Sequence, residues 1–374
     1  MNLNKASLHI AGEPHGSNNY PFTSGPEGIG FKNMLYSFPR MREVLAELGM
    51  DLSTKDINLP EESFLVIAWD NPHMLHAEKL EGQLWCLMIN DPPIYYPESW
   101  DPKYHERFDY VLTFDETLVD NKKYFYYPFA IDTEYFSIPD IVSEEEFVRR
   151  RLATFVSHAI HKYPDPNHQG STLHLRYNTI SWYGRNHPDD FRFYGGTFVP
   201  RNYYFGFRGI RLVNRILPQS LMHSIAKLAQ RDLIKVYGGE LGPLDKFDVI
   251  KKYNFYYCYE NTVGINGYVC EKIFDCLYNG IVPIYWGAPN IRELIPYDCY
   301  IDGRDFNGEK DLYNFIKSMD YSRYRKYLEE AVSFLSSSEM ERFTVSNSVK
   351  CILSPMMDKI KNRHLAASSA KNSR

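Results

Sequence analysis

Tyr268, Glu271 and Lys272 fall at i, i+3 and i+4 within a stretch, Tyr268 to Leu277, whose apolar residues Val269, Ile273, Cys276 and Leu277 keep the spacing of one helical face. This spacing predicts a helix over 268–277, stopped at Gly280, with the three polar side chains projecting together from its first turn. A helix N-terminus presents unpaired N–H groups and partial positive charge, which suit a phosphate, and Lys272 adds a full charge beside them. Glu271 would repel a phosphate, so its natural partner is a hydroxyl donor such as a sugar. A carboxylate for ring hydroxyls beside an ammonium for a diphosphate is the chemistry of a sugar-nucleotide site. Helix position alone also allows a plainer arrangement, in which Glu271 pairs with Lys272 or complements the helix dipole for about 0.3–1 kcal/mol.

These residues need a scaffold, and the flanking sequence supplies one. Phe255 to Tyr259 has the length and composition of a buried strand, with Glu260 and Asn261 at its carboxyl end and a loop containing Gly264 and Gly267 after it. Val282 to Trp286 reads as the next strand, turning at Gly287 to Asn290. In open α/β sheets, ligands bind at the carboxyl ends of strands. Other strands are predicted at Phe64–Trp69, Leu84–Ile89, Phe108–Phe114, Leu152–Ser157, Phe191–Tyr194, Leu233–Tyr237 and Cys299–Asp302. Met41, Val44, Leu45 and Leu48 mark one face of a helix that ends at Gly49. Short buried strands alternating with amphipathic helices imply an α/β fold, with parallel sheets covered on both faces and two similar doubly wound halves.

At 374 residues the chain exceeds one ordinary core, which stops growing near ~250–300 residues. A charged run from Ser143 to Arg151 reads as a solvated helix with i,i+4 Glu–Arg pairing and separates the halves. The expected domains are 1–145, 146–350 and a basic tail, 351–374, that frays. Lys and Arg number 42 against 47 Asp and Glu, a net charge of −5, so no global positive field gathers a nucleic-acid backbone. Aromatic residues make up 16% of the chain, which suits either core packing or the faces of sugar rings. The six cysteines form no C-x-x-C pair, and Cys86, Cys258 and Cys299 lie in apolar runs, a pattern that fits a reducing compartment. No signal-peptide pattern and no apolar run of ~18 residues occurs, so a cytoplasmic protein is expected.

The run Y-E-N-x6-Y-V-C-E-K-I-F-D at 259–275, followed by G-I-V-P-I-Y-W-G-A-P-N-I at 280–291 and I-P-x3-Y-I-D-x3-F at 295–306, resembles the signature region of the family 10 glycosyltransferases, the α-1,3/1,4-fucosyltransferases. The similarity is weaker over the rest of the second half, and the first half resembles bacterial members in outline. This resemblance implies a GT-B-like architecture, two Rossmann-like domains facing a cleft, with the nucleotide sugar on the C-terminal one. It also implies inverting transfer of L-fucose from GDP-fucose. Position by position, it implies that Tyr268, Glu271 and Lys272 hold fucose and diphosphate and that Asn261 makes the neighbouring loop contact. Glu260 and Gly267 of the same loop are further candidates. Leu175-Arg176-Tyr177-Asn178 with Trp182 resembles the helix whose Arg reaches the diphosphate, making Arg176 the expected bidentate ligand, although an ordinary surface Arg would read the same way.

Inverting transfer needs a base for the acceptor hydroxyl. The resemblance places it in the first domain at a strand end, where Leu84–Ile89 runs into Asn90-Asp91-Pro92-Pro93 and Asp91 stands in place of a Glu. Asp91 is the expected base, Glu98 is held in reserve, and a turn without chemistry would account for the same residues. Residues 201–231 look like an insertion of unassigned role. Near the donor loop no D-x-D stands out, Asp165-Pro166 and Asp189-Asp190 reading as turns, so neither a metal nor a cofactor beyond GDP-fucose is expected. Arg176, Lys272 and the helix N-terminus would neutralise the leaving diphosphate. The expected partners are a nucleotide sugar and a glycan or glycolipid acceptor in surface-polysaccharide or lipopolysaccharide synthesis. The basic tail could touch an anionic inner membrane at ~1 kcal/mol per charge. Two other readings stay open: the same fold using another nucleotide sugar, and a non-catalytic carbohydrate-binding protein. A nicotinamide oxidoreductase would need a G-x-G-x-x-G after an early strand, and none is there.

Overall fold

The structure, a computed structural model, describes residues 1–10, 16–23, 35–70, 77–133, 136–157, 160, 170–195, 231–242 and 245–364. The chain divides into two compact units, one of Met1–Phe136, Ile265–Glu271 and Ser338–Arg374, the other of Ser137–Gly264 and Lys272–Ser337. Each is built on a six-stranded sheet whose pairings are all parallel.

In the first unit the strands are β1 (Asn2–Ile10), β2 (Asp51–Thr54), β3 (Ser63–Trp69), β4 (Leu84–Ile89), β5 (Tyr110–Thr113) and β6 (Tyr124–Tyr126), in the order β2-β1-β3-β4-β5-β6. β3 and β4 are buried along their whole length, which is why their sequences are unbroken apolar runs. Alternate residues go to opposite faces. Leu65, Ile67, Trp69, Cys86 and Met88 pack with Phe38, Met41 and Leu45 of helix α1 (Ser37–Glu47), whereas Val66, Ala68, Trp85, Leu87 and Ile89 pack with Tyr104 and Phe108.

In the second unit helix α2 (Glu144–Arg149) precedes β7 (Arg151–Val156), helix α3 (Leu173–Asn186), β8 (Phe191–Tyr194), helix α4 (Arg231–Val236) and β9 (Tyr237–Gly239). There follow β10 (Tyr253–Tyr259), helix α5 (Glu271–Leu277), β11 (Val282–Trp286), β12 (Ile301–Asp302), and helices α6 (Glu309–Lys317) and α7 (Tyr321–Leu335). The order is β12-β11-β10-β7-β8-β9, so the winding reverses between β7 and β10. In the first sheet it reverses between β1 and β3. These are the two places where a doubly wound sheet opens a crevice at its strand ends.

The run expected to be a solvated helix is α2, N-capped by Ser143, with Glu146 and Arg150 paired at 2.7 Å. It belongs to the second unit, and the first break between units falls after Phe136 instead of at 145. Leu233 to Tyr237, expected as a strand, is mostly α4. Leu233 and Val236 are buried one helical turn apart, and only Tyr237 to Gly239 pairs with β8. The chain beyond Leu335 returns to the first sheet as α8 (Val345–Leu353) and α9 (Met357–Lys361), burying Val349, Ile352, Leu353, Met356 and Ile360 against α1 and β3. The tail expected to fray is therefore folded as far as residue 364. Arg363 fastens it by donating to the Leu48 carbonyl at 2.7 Å, at the C-terminal end of α1. Residues 365–374, the Asp165-Pro166 turn and the 201–230 part of the insertion lie outside the described residues.

Candidate functional site

At the winding reversal of the second sheet, Glu260 and Asn261 continue β10 past its last ladder residue, Tyr259. Ser157 does the same for β7. Arg176, on the second turn of α3, joins these two strand ends. Its Nη1 donates to Ser157 Oγ at 2.9 Å, and its Nη2 donates to the carbonyls of Tyr259 at 3.1 Å and Glu260 at 3.0 Å and to Asn261 Oδ1 at 2.9 Å. Thr172, just before α3, donates its hydroxyl to the Glu260 carbonyl and its N–H to the Asn261 carbonyl at 3.1 Å, and its own carbonyl accepts from the Arg176 N–H at 3.0 Å. Arg176 is 5% exposed, so it is neither a surface Arg nor a guanidinium standing out in solvent. It is a buried brace that sets the Asn261 amide.

Glu260 is fully buried, and its Oε2 lies 3.1 Å from Lys272 Nζ, which is 19% exposed at the second residue of α5. A buried carboxylate facing an ammonium at hydrogen-bond distance holds that ammonium in place. Gly287, in the turn after β11, has no room for a side chain: a Cβ there would stand 2.5 Å from Glu260 Cγ. Below the same strand end, Glu309 at the start of α6 accepts from Thr179, Tyr257 and Tyr259. Burial pushes its carboxyl above the usual range, while those bonds pull it back.

The helix expected over 268–277 begins only at Glu271. Gly267 has φ +79°, and Val269 N–H turns back onto the Gly267 carbonyl at 2.8 Å, which keeps 267–269 out of helical geometry. Tyr268 consequently does not share a helix turn with Glu271 and Lys272. It belongs to the first unit, where it is buried with Phe114 and Cys270, its ring centroid 5.0 Å from that of Phe114. Gly267 is demanded by contact as well as by φ, since a Cβ would lie 2.1 Å from the Phe114 carbonyl oxygen. Glu271 is half-buried as the first helical residue.

In the first unit Asp91 follows β4 in a turn whose carbonyl accepts from Trp100 Nε1 at 2.8 Å. Glu98 is exposed on the turn Pro97–Trp100. A second acid, absent from the expected set, lies beside Asp91. Asp70, at the end of β3, accepts from the N–H groups of Asn90 at 2.9 Å and Asp91 at 2.7 Å through Oδ2. Burial, and then the charge of Asp91, push its carboxyl well above the ordinary range, against the two amide bonds that favour ionisation. The signal that could have found it is the parallel between Trp69-Asp70-Asn71-Pro72 and Ile89-Asn90-Asp91-Pro92, an acid and an Asn before Pro at the ends of neighbouring buried strands. Among the described residues no three His, Cys, Asp or Glu side chains gather as a metal site.

Residues 214–369 match the model for the C-terminal part of glycosyltransferase family 10 (fucosyltransferase). Over 80 residues, 21% of the chain, the sequence is 35% identical to an alpha-(1,3)-fucosyltransferase of Helicobacter pylori, covering 15% of that protein. Over 80 residues, 20% of the chain, it is 36% identical to an alpha-(1,4)-fucosyltransferase of Arabidopsis thaliana, covering 20% of it. These alignments thus span a fifth or less of either relative. In fold, an alpha-glucosyltransferase solved with UDP-glucose and DNA superposes with a TM-score of 0.52 at 11% identity, over 95% of this chain and 99% of that one. Two parallel-sheet α/β units with such a neighbour make the architecture GT-B-like. The match to glycosyltransferase family 10 thus covers the C-terminal region of the chain, residues 214–369.

Proposed function

We propose that the chain transfers L-fucose from GDP-fucose to a hydroxyl of a glycan acceptor, with inversion at the anomeric carbon. The observation that carries this is the Lys272 ammonium held by buried Glu260 at the carboxyl end of β10, beside the winding reversal and within the family-matched region. Relatives similar to this chain over 80 residues are named as fucosyltransferases, which supports the reading.

In this reading Lys272 meets the diphosphate. Arg176 adds positive charge from beneath and fixes Asn261 as a loop contact. Both favour the charge that develops as the anomeric C–O bond to the diphosphate breaks and its electron pair leaves with GDP. Glu271 accepts from fucose hydroxyls. The acceptor oxygen forms the new bond to the anomeric carbon, and its proton passes to the Asp91 carboxylate. Lys272 and Arg176 are this chain's own means of neutralising the leaving group, so the reaction is written without a metal. We place it in a reducing, cytoplasmic setting on precursors of surface polysaccharide or lipopolysaccharide. All six cysteines are free thiols, which supports the reducing compartment.

A donor panel tests the reading. GDP-fucose, GDP-mannose and UDP-glucose are each supplied with mixed glycan acceptors, and nucleoside diphosphate release and product linkage are followed. Release from GDP-fucose with an α-fucosylated product is expected. Release from GDP-mannose alone would remove the fucosyl assignment.

A further inference from the structure

We infer that Asp70 is a positioning residue for the transfer, fixing where the Asp91 carboxylate stands by gripping the backbone of the Asn90–Asp91 turn from the neighbouring strand. The inference rests on the proposed role of Asp91 as base and adds a second carboxyl to it.

Asp70 sits at the carboxyl end of β3, on the side of the winding reversal in the first sheet, and is 3% exposed. Its own N–H continues the ladder to the Met88 carbonyl at 3.1 Å, so its backbone is locked to β4. At that point the chain turns into left-handed geometry, φ +42°, which costs a residue with a Cβ energy and persists only where surroundings over-determine it. What the strain secures is the aim of the side chain. One oxygen, Oδ2, takes both turn amides at 2.9 and 2.7 Å, fixing the backbone from which the Asp91 side chain projects. The other oxygen, Oδ1, is buried without a hydrogen-bond partner among the described residues. An ionised carboxylate with one bare buried oxygen next to a second carboxylate is a costly species, and a carboxylic acid there is not. Other titratable groups face the pair: Tyr96 and Tyr127 lie within electrostatic reach of both Asp70 and Asp91, and Tyr104 of Asp70. Tyr127 donates to the Ile89 carbonyl at 3.0 Å, bracing the same turn from β6's side. Each of these phenols is itself pushed up by burial, as is the Asp70 carboxyl, which serves as the fixed post beside Asp91.

A double-mutant cycle with a pH profile tests this. Asp91→Asn, Asp70→Ala, Asp70→Asn and Asp70→Ala/Asp91→Asn are assayed for fucosyl transfer, GDP-fucose affinity and the pH dependence of kcat. Asp70→Ala releases the turn and is expected to lower kcat by ~10²-fold, the scale of a misplaced catalytic group, with donor affinity unchanged. In the Asp91→Asn background the same change should cost almost nothing further. Asp70→Asn keeps an acceptor oxygen for both amides and the neutral charge, so kcat should stay near wild type with its acid limb in place. Additive losses in the cycle, or an acid limb that moves to lower pH in Asp70→Asn as a lost neighbouring anion would require, would overturn the inference. Full activity in Asp91→Asn would instead strike the role of Asp91, and with it the reading on which this inference rests. If Asp70→Ala does not fold, the Asp70→Asn profile alone decides.

Discussion

Lys272 Nζ stands 3.1 Å from Glu260 Oε2, so one ion pair ties the carboxyl end of β10 to the first turn of α5, and its acid has no exposure to solvent. Removing the ammonium strips that buried acid of the counter-charge facing its Oε2. Lys272→Ala should therefore destabilise the protein by about 3–5 kcal/mol and weaken GDP binding. Lys272→Met combined with Glu260→Gln removes both charges, and should regain most of the stability while GDP affinity stays low. Urea denaturation and calorimetric GDP titration separate the two effects. Recovery of affinity in the double variant would show that Lys272 only serves the fold.

Asp91→Asn should lower kcat by ~10²–10⁴-fold at nearly unchanged donor affinity, as expected for loss of a general base. Steady-state release of GDP measures the rate, and equilibrium binding of GDP-fucose measures the affinity. A carbohydrate-binding protein would show no rate to lose, and a base at Glu98 would move the loss to Glu98→Gln.

The buried Asp70 carboxyl also makes a prediction about stability. Its folded value is raised, so its contribution is fully present below the unfolded value of ~3.9 and is lost as pH climbs toward the folded one. Over that window this one group lowers the wild-type unfolding free energy by up to about 1.4 kcal/mol per pH unit. Asp70→Asn has nothing to titrate. Its stability relative to wild type should improve steadily from acid to neutral pH, and a difference that stays flat would mean that Asp70 is ionised in the native state.

Gly267→Ala places a Cβ 2.1 Å from the Phe114 carbonyl oxygen on a backbone at φ +79°. The left-handed conformation alone costs roughly 1–2 kcal/mol, and the clash adds to it. The segment 265–271 should loosen from the cluster of Phe114, Tyr268 and Cys270, lowering the denaturation midpoint and weakening fucose-dependent contacts of Glu271. An unchanged midpoint would contradict the close approach.

Much of this fold is written in local pattern. β4 and β11 coincide with apolar runs because strands buried on both faces need them, β8 alternates with Phe191 and Phe193 buried, and α1 follows from the spacing of Met41 and Leu45. β1 was not legible. Asn2 to Ile10 is half polar, and only its last five residues are buried. Leu233 to Tyr237 has the apolar content of a strand, but its burial follows a helical turn. Within the site, Lys272 and Asn261 fall at the winding reversal, where the motif put them. Tyr268 does not join them on a helix, because a positive-φ glycine and one short turn outweigh an i, i+3, i+4 pattern. Asp70 escapes a local reading for another reason. Its importance lies in two hydrogen bonds to a turn twenty residues away, across a strand pair that only the fold creates.

The most direct measurement is a crystal structure with GDP-fucose bound. The account predicts the diphosphate within ~3 Å of Lys272 Nζ at the carboxyl end of β10, with the fucose hydroxyls on the Glu271 carboxylate. A nucleotide bound away from β10, with no phosphate at Lys272, would contradict it.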